Sequence, residues 1–438
     1  MVTRHHTTPL DPAADAAALL RRLGFAILVV LLPSATFLSR RATVILAPVG
    51  VSLLILSSVI EAPPRGFVRV LTAIARHPAG MAGILFVGWA ALSIIWAPDR
   101  GEAGDKLFNA VQAIVLGVLG VSTLPDRVRA SNLYLTGIGV ALAALLALAL
   151  IVTGARETLT DEAAIFERGL TGLALMVWPA LAWLESRGRR GLAAALVLVT
   201  AVTLVMARAV VPLIGFAVAA AVYGLTWWRP AAGNRVAAWG SAGFLLVAPL
   251  LAVLISPAAT RLLAEENTVR AAIAAWHTLV LTAPDSFLIG HGLDTVLPAR
   301  LSGAVPVSTP HGLPFEIWFE LGAVGAVLAS LTLYFVARRF DAMASGPAGS
   351  AQLVPGLTAA FAAAFTLAVL GAGVAFPWRM MTLAVVVIAF AAVTRGQFRT
   401  RRPKANERPA NGRPSGDRPS GPQTPAAARP RTGNAAAR

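Results

Sequence analysis

The sequence predicts an all-α integral membrane protein with about twelve transmembrane helices, and three observations carry that class. Apolar runs close to 20 residues long recur from residue 23 to residue 394, the length a helix needs to cross the hydrocarbon core. Of the 438 residues, 57% are hydrophobic and 13% charged, with a mean hydropathy of +0.71, more apolar surface than one globular core can hide. Arginines gather in alternate links between the runs, as the positive-inside rule requires of short cytoplasmic loops.

The runs fall at 23–39, 42–60, 78–96, 107–124, 131–153, 169–185, 191–206, 209–228, 234–256, 314–337, 353–374 and 378–394. The first is followed by Arg40-Arg41 and a second span rather than a small-residue cleavage site, so it reads as a membrane helix and not a signal peptide. Residues 1–22 form a cytoplasmic N-terminus. With that end inside, the cytoplasmic links carry Arg21-Arg22, Arg65/Arg69/Arg76, Arg127/Arg129, Arg187/Arg189/Arg190, Arg229/Arg235 and Arg338-Arg339. Arg40-Arg41 breaks the parity, which leaves the orientation of the first hairpin open. Residues 23–256 thus hold helices one to nine and 314–394 helices ten to twelve.

Between them, 257–313 is the long outer segment, the one extramembrane stretch large enough to build a site. Within it Thr268 to Ala283 has helical spacing, with Arg270 and His277 on one face, and Pro284-Asp285 and the glycines Gly290 and Gly292 read as turns. After the last run, residues 395–438 hold eleven Lys/Arg against two acids, more than half of the +16 net charge. That tail is rich in Pro, Gly, Arg and Ala, too poor in large apolar residues to offset its ordering entropy, so it reads as disordered and cytoplasmic. Its charge suits a topology anchor better than attraction to lipid headgroups or RNA, and no specific nucleic-acid partner is expected.

An arginine beside a membrane boundary is costly unless an anion meets it. Arg208, between two apolar spans, has no acid nearby in sequence, and Arg168, Arg270 and Arg379 also fall on the outer side. Their guanidinium forks suit phosphate oxygens, although each could also snorkel to headgroups. His311 stands where the outer segment enters the tenth helix, and its imidazole could take a proton from a hydroxyl or serve as an interfacial anchor. Glu316 and Glu320 follow on one helix face, able to orient that histidine or an arginine, or to sit at a helix start where the dipole favours acids. Gly322 and Gly325 permit close helix approach.

Asp99, Glu102 and Asp105 read as a solvated polar loop rather than oxygen ligands for a divalent ion. Cysteine is absent, and neither Lys106 nor Lys404 closes a phosphate-binding Gly-rich loop. There is no HExxH helix and no GxSxG elbow, so neither a metal nor a cofactor is expected.

Four places in the chain resemble the bacterial O-antigen ligase family, which includes related O-antigen and exopolysaccharide polymerases. They are LSIIWAPD at 92–99, ARA at 207–209, the Arg, Trp, Pro, Gly-x-Gly order from Arg270 to Gly292, and His311-Gly312 followed by ELGAVG at 320–325. The likeness covers roughly residues 20–395, with Gly312 where the family commonly has Asn and Ala207 where it commonly has Ser. It implies a glycosyltransferase of the membrane C-type architecture, in the inner membrane with its site facing the periplasm. Its donor would be a glycan on undecaprenyl pyrophosphate, its acceptor a lipid A-core hydroxyl or, in a polymerase, a second lipid-linked glycan. Arg208 and Arg270 would bind pyrophosphate and His311 would position or deprotonate the acceptor, without metal and with inversion. Arg168, Glu316, Glu320, His277 and Arg379 would support them. From another class, a secondary transporter would place ionisable residues or broken helices near mid-membrane, often in repeated halves, and the sequence has no convincing internal repeat.

Overall fold

A computed structural model describes residues 12–61, 65–155, 163–264, 267–282, 284, 286–345, 351–371 and 376–396. The basic tail from 397 onward and Asp285 lie outside the described residues. Among the described residues the chain is helical, and no strand forms.

The helices are α1 (Pro12–Ala35, with a π-wound turn at Ile27–Leu31), α2 (Ala42–Glu61), α3 (Arg65–Arg76), α4 (Pro78–Trp96), α5 (Arg100–Thr123), α6 (Ala130–Val152), α7 (Ala163–Ser186) and α8 (Arg190–Met206). There follow α9 (Val210–Trp228), α10 (Pro230–Leu262), α11 (Thr268–Thr282), α12 (Ser286–Ile289), α13 (Val296–Leu301), α14 (Leu313–Ala344), α15 (Val354–Leu370) and α16 (Pro377–Arg395). Ten of these are long and apolar enough to cross a membrane, which makes the chain a multi-pass membrane protein. Each of the twelve expected runs coincides with a helix over most of its described residues, but α8 and α15 are 17 residues each, about 25 Å of helix, just short of a full span.

Starts are marked as capping chemistry predicts. His77 Nδ1 accepts from the Ala79 amide at 3.2 Å ahead of Pro78, and prolines also open α10 and α16, where a missing N–H costs nothing. The core forms around α7, whose Trp178 and Trp183 are fully buried against α6, α8, α15 and α16. By contrast, α4 and α5 keep most of their side chains at the surface, as helices facing lipid should.

Three expectations about links change. The segment with Arg65, Arg69 and Arg76 is not a loop but the amphipathic α3, because Val68, Leu71 and Ala75 recur at helical spacing opposite the arginines. Residues 100–106 are the first turns of α5 rather than part of the preceding loop. Asp99 starts them: its Oδ1 accepts from the amides of Gly101 and Glu102 at 2.9 and 3.1 Å, so that acid is a helix cap. The segment expected outside the membrane is also shorter than 257–313, since α10 continues to Leu262.

Candidate functional site

The site is built on an interruption in α14. After Gly312, Pro314 opens the helix, residues Ile317–Leu321 wind as a π-turn, and Gly322 (φ 67°, ψ −163°) leaves helical geometry before the chain resumes. Such a break strands carbonyls that lipid cannot satisfy. Here each finds a donor. The His291 amide and ring Nδ1–H both donate to the Phe319 carbonyl at 2.9 and 3.0 Å, the Gly292 amide donates to the Glu320 carbonyl at 2.9 Å, and the Trp89 indole donates to the Leu321 carbonyl at 2.9 Å. The His291 ring also stacks on Phe319 with centroids 4.1 Å apart.

Close approach makes this possible, and it explains the glycines. Gly290 (φ 84°) and Gly322 lie back to back: a Cβ on the first would stand 2.4 Å from the Glu320 carbonyl oxygen, and one on the second 2.6 Å from that of Leu288. The Gly-x-Gly pair is therefore a clasp over the broken helix, not merely a turn.

The clasp delivers Asp294 to an ion pair that sequence reasoning missed. Lys106, on α5, donates to both oxygens of Glu320 at 2.8 and 3.0 Å and lies 3.2 Å from Asp294 Oδ1. Glu320 is 3% exposed, so its charge depends on that lysine. Asp294 holds a left-handed backbone (φ 63°), a conformation Asp tolerates better than most residues.

Two spaces meet at this pair. A polar cavity of about 250 Å³ is walled by five carboxylates, Glu102, Asp105, Asp294, Glu316 and Glu320, against the cations Lys106 and Arg300, with His311 at its rim. An apolar groove of about 490 Å³ runs between α4 and α5, past Gly80, Ile84, Val87, Leu107, Val111 and Ile114. From Gly80 to Ala90 it follows α4 for about 15 Å. Lys106, Glu316 and Glu320 line both spaces. The arrangement suits an amphiphile, with an apolar chain in the groove and a polar head in the cavity.

His311 is exposed at the rim. What burial it has, and then the nearby Arg300 guanidinium, hold its pKa below the ordinary 6.5, so the ring is neutral at pH 7 and can accept a proton or a hydrogen bond. Arg300 Nη2 donates to the Val307 carbonyl, which fixes the loop after α13.

The residues singled out from sequence divide into three sets. His311, Glu316 and Glu320 come together in the cavity wall. Arg379 is buried in the first turn of α16, 5.2 Å from the Trp378 ring, and Arg168 approaches that ring at 5.5 Å, forming a second group whose Arg379 interacts with Glu316 and Glu167. Arg208, Arg270 and His277 do not line the cavity. Arg208 occupies the α8–α9 link with its side chain exposed and its backbone left-handed (φ 54°). Arg270 Nη1 donates to the Leu263 carbonyl at 3.0 Å, bracing the start of α11. His277 follows Trp276, whose ring meets Phe315 edge-on at 5.6 Å.

Sequence reasoning missed Lys106, Asp294 and Arg300. Lys106 carried a usable signal, as a lone lysine at the head of an apolar run, where an ionisable side chain needs a partner. Glu102 and Asp105 face the cavity, and among the described residues no group of three His, Asp or Glu side chains is arranged to hold a metal ion. In comparisons with known proteins, no family model and no curated protein matches the chain.

Proposed function

We propose that the chain is a membrane glycosyltransferase of the O-antigen ligase kind. In this reading it moves a glycan from undecaprenyl pyrophosphate to a lipid A-core hydroxyl at the periplasmic face of the inner membrane, on a C-type architecture. The observation that carries the reading is the meeting of the apolar groove and the polar cavity at Lys106, Glu316 and Glu320. A polyprenyl chain ending in a sugar-bearing diphosphate has that same division between apolar and polar parts.

The cavity's surplus of carboxylates suits glycan hydroxyls, which donate hydrogen bonds to them. The diphosphate is then met at the margin by guanidinium groups. Arg379, which interacts with Glu316, and Arg168, over the same Trp378 ring, together with Arg208 and Arg270 from outside the cavity, would stabilise charge that develops on the leaving group. His311, neutral at pH 7, positions the acceptor. The reaction is a direct displacement that inverts the anomeric centre.

A deletion strain tests the reading through its surface polysaccharide profile. Lipid A-core without O-chain is the expected result, core capped by one repeat unit identifies a polymerase instead, and an unchanged profile overturns both. Complementation with Arg208→Ala or Arg270→Ala should leave the protein in the membrane and abolish transfer, and His311→Ala should leave it there and weaken transfer through the acceptor. A transporter reading draws on the interrupted α14 and the buried Lys106–Glu320 pair, since broken helices and intramembrane charges serve transport too. Glycan crossing proteoliposomes without any acceptor being modified would favour it.

A further inference from the structure

In a lipid-diphosphate-linked glycan the bond to the anomeric carbon lies one diphosphate past the point where apolar chain gives way to polar head. A protein that breaks that bond must therefore bring its reactive groups to the part of the cavity that adjoins the groove, and three side chains line both spaces: Lys106, Glu316 and Glu320. Two of them are committed to each other. Lys106 holds both oxygens of Glu320 and approaches Asp294, and Glu320 is almost wholly buried. Glu316, one helical turn before Glu320, is half-buried, faces both spaces and interacts with Arg379. His311 lines only the polar cavity and stands at its rim, away from the junction.

We infer that Glu316 is the general base of the transfer, while His311 positions the acceptor further out. The inference rests on the glycosyltransferase reading. In the step, the acceptor hydroxyl gives its proton to the Glu316 carboxylate as its oxygen bonds to the anomeric carbon. The carbon–oxygen bond to the diphosphate breaks on the opposite face, and the lipid diphosphate leaves with the electron pair. A carboxylate serving as base in an inverting displacement at an anomeric carbon is sound glycoside chemistry. The Lys106 and Arg379 charges both interact with Glu316.

The test uses the full-length protein in nanodiscs with an undecaprenyl-diphosphate-linked disaccharide and lipid A-core. Glu316→Gln should lower kcat by about 100-fold or more, with KM for the donor within about threefold of wild type, whereas His311→Ala should act mainly on KM for the acceptor. Glu316→Ala supplied with azide, which needs no deprotonation, should release a glycosyl azide of inverted configuration. A residue with a merely structural role would not give that product. Wild-type transfer with Glu316→Gln within threefold of its kcat overturns the inference and leaves the glycosyltransferase reading standing. Absence of azide product from a Glu316→Ala protein that still binds donor also overturns the inference alone. No transfer by the wild type removes the reading and the inference with it.

Discussion

One helix carries two buried polar centres that do opposite things. Near the start of α14, Glu320 pairs with Lys106 beside a cavity; near its end, about 30 Å along the axis, Asp341 accepts from the Asn234 amide at 2.9 Å. Thr358 donates to the Asn234 side-chain oxygen, also at 2.9 Å, so α10, α14 and α15 are laced together. The same end is closed by further bonds: Tyr223 donates to Glu185, Arg187 donates to the Gly396 carbonyl at 2.9 Å, and Arg395 donates to that of Leu124. None of these groups faces the groove or the cavity. Polar side chains among apolar helices thus serve packing where protein surrounds them, and line a cavity where one flank stays open. The open flank, more than the burial of charge, distinguishes a site from a lacing.

The largest expected effect tests how much the open end depends on its ion pair. Lys106→Met strips a nearly inaccessible carboxyl group of its cation, which should cost about 3–5 kcal/mol, read as a lowered thermal midpoint in nanodiscs. Lys106→Met with Glu320→Met should recover most of that loss, since the nearly inaccessible carboxyl group is then gone and Asp294 is better exposed. Asn234→Leu at the laced end should cost less, about 1–3 kcal/mol, because its two partners keep others: the Asp341 carboxylate lies 3.2 Å from Arg338, and the Thr358 hydroxyl also donates to the Val354 carbonyl. If Lys106→Met proves cheaper than Asn234→Leu, the contrast between the two ends is not one of buried charge.

The laced end and the open end were not equally legible in sequence. Helix positions follow from apolar runs, because lipid imposes one length and one backbone pairing on every span. The site is written in long-range approaches that local patterns do not carry. In sequence Gly290 reads as part of a turn and Gly322 as a point of close helix approach, and only their juxtaposition reveals the clasp. His311, Glu316 and Glu320 were singled out because they are polar residues at the head of an apolar run. Lys106 escaped because charged residues 100–106 depress hydropathy and shift the apparent start of α5, although Asp99 caps it further back. The amphipathic α3 is legible in the spacing of Val68, Leu71 and Ala75, whereas its arginines in sequence speak only to topology.

A middle-sized effect concerns Arg208, which lies outside the cavity yet holds a backbone conformation that L side chains avoid. Arg208→Gly removes the Cβ from that left-handed position and should stabilise the fold by about 1 kcal/mol. If its guanidinium meets the substrate, transfer should be lost in the same variant. Stability gained with activity lost would mark strain kept for function. Stability gained with activity intact would remove Arg208 from the proposed machinery.

The smallest effect is a shift in pH dependence at the open end. His311 titrates below its ordinary 6.5, first because partial burial disfavours the imidazolium and second because the Arg300 guanidinium repels it. The lowered pKa keeps the neutral ring present to lower pH, so transfer that needs a neutral His311 should fall only on an acidic limb below 6.5. Arg300→Gln removes the repulsion and leaves the desolvation, so the pKa rises and that limb moves to higher pH. Rates normalised to their plateau, measured from about pH 5 to pH 8, give the comparison. Glu316 as base predicts that the limb persists in Glu316→Asp, because His311 rather than the carboxylate sets it. A limb that stays in place in Arg300→Gln, or moves to lower pH, would show that the two side chains do not share the cavity's electrostatics.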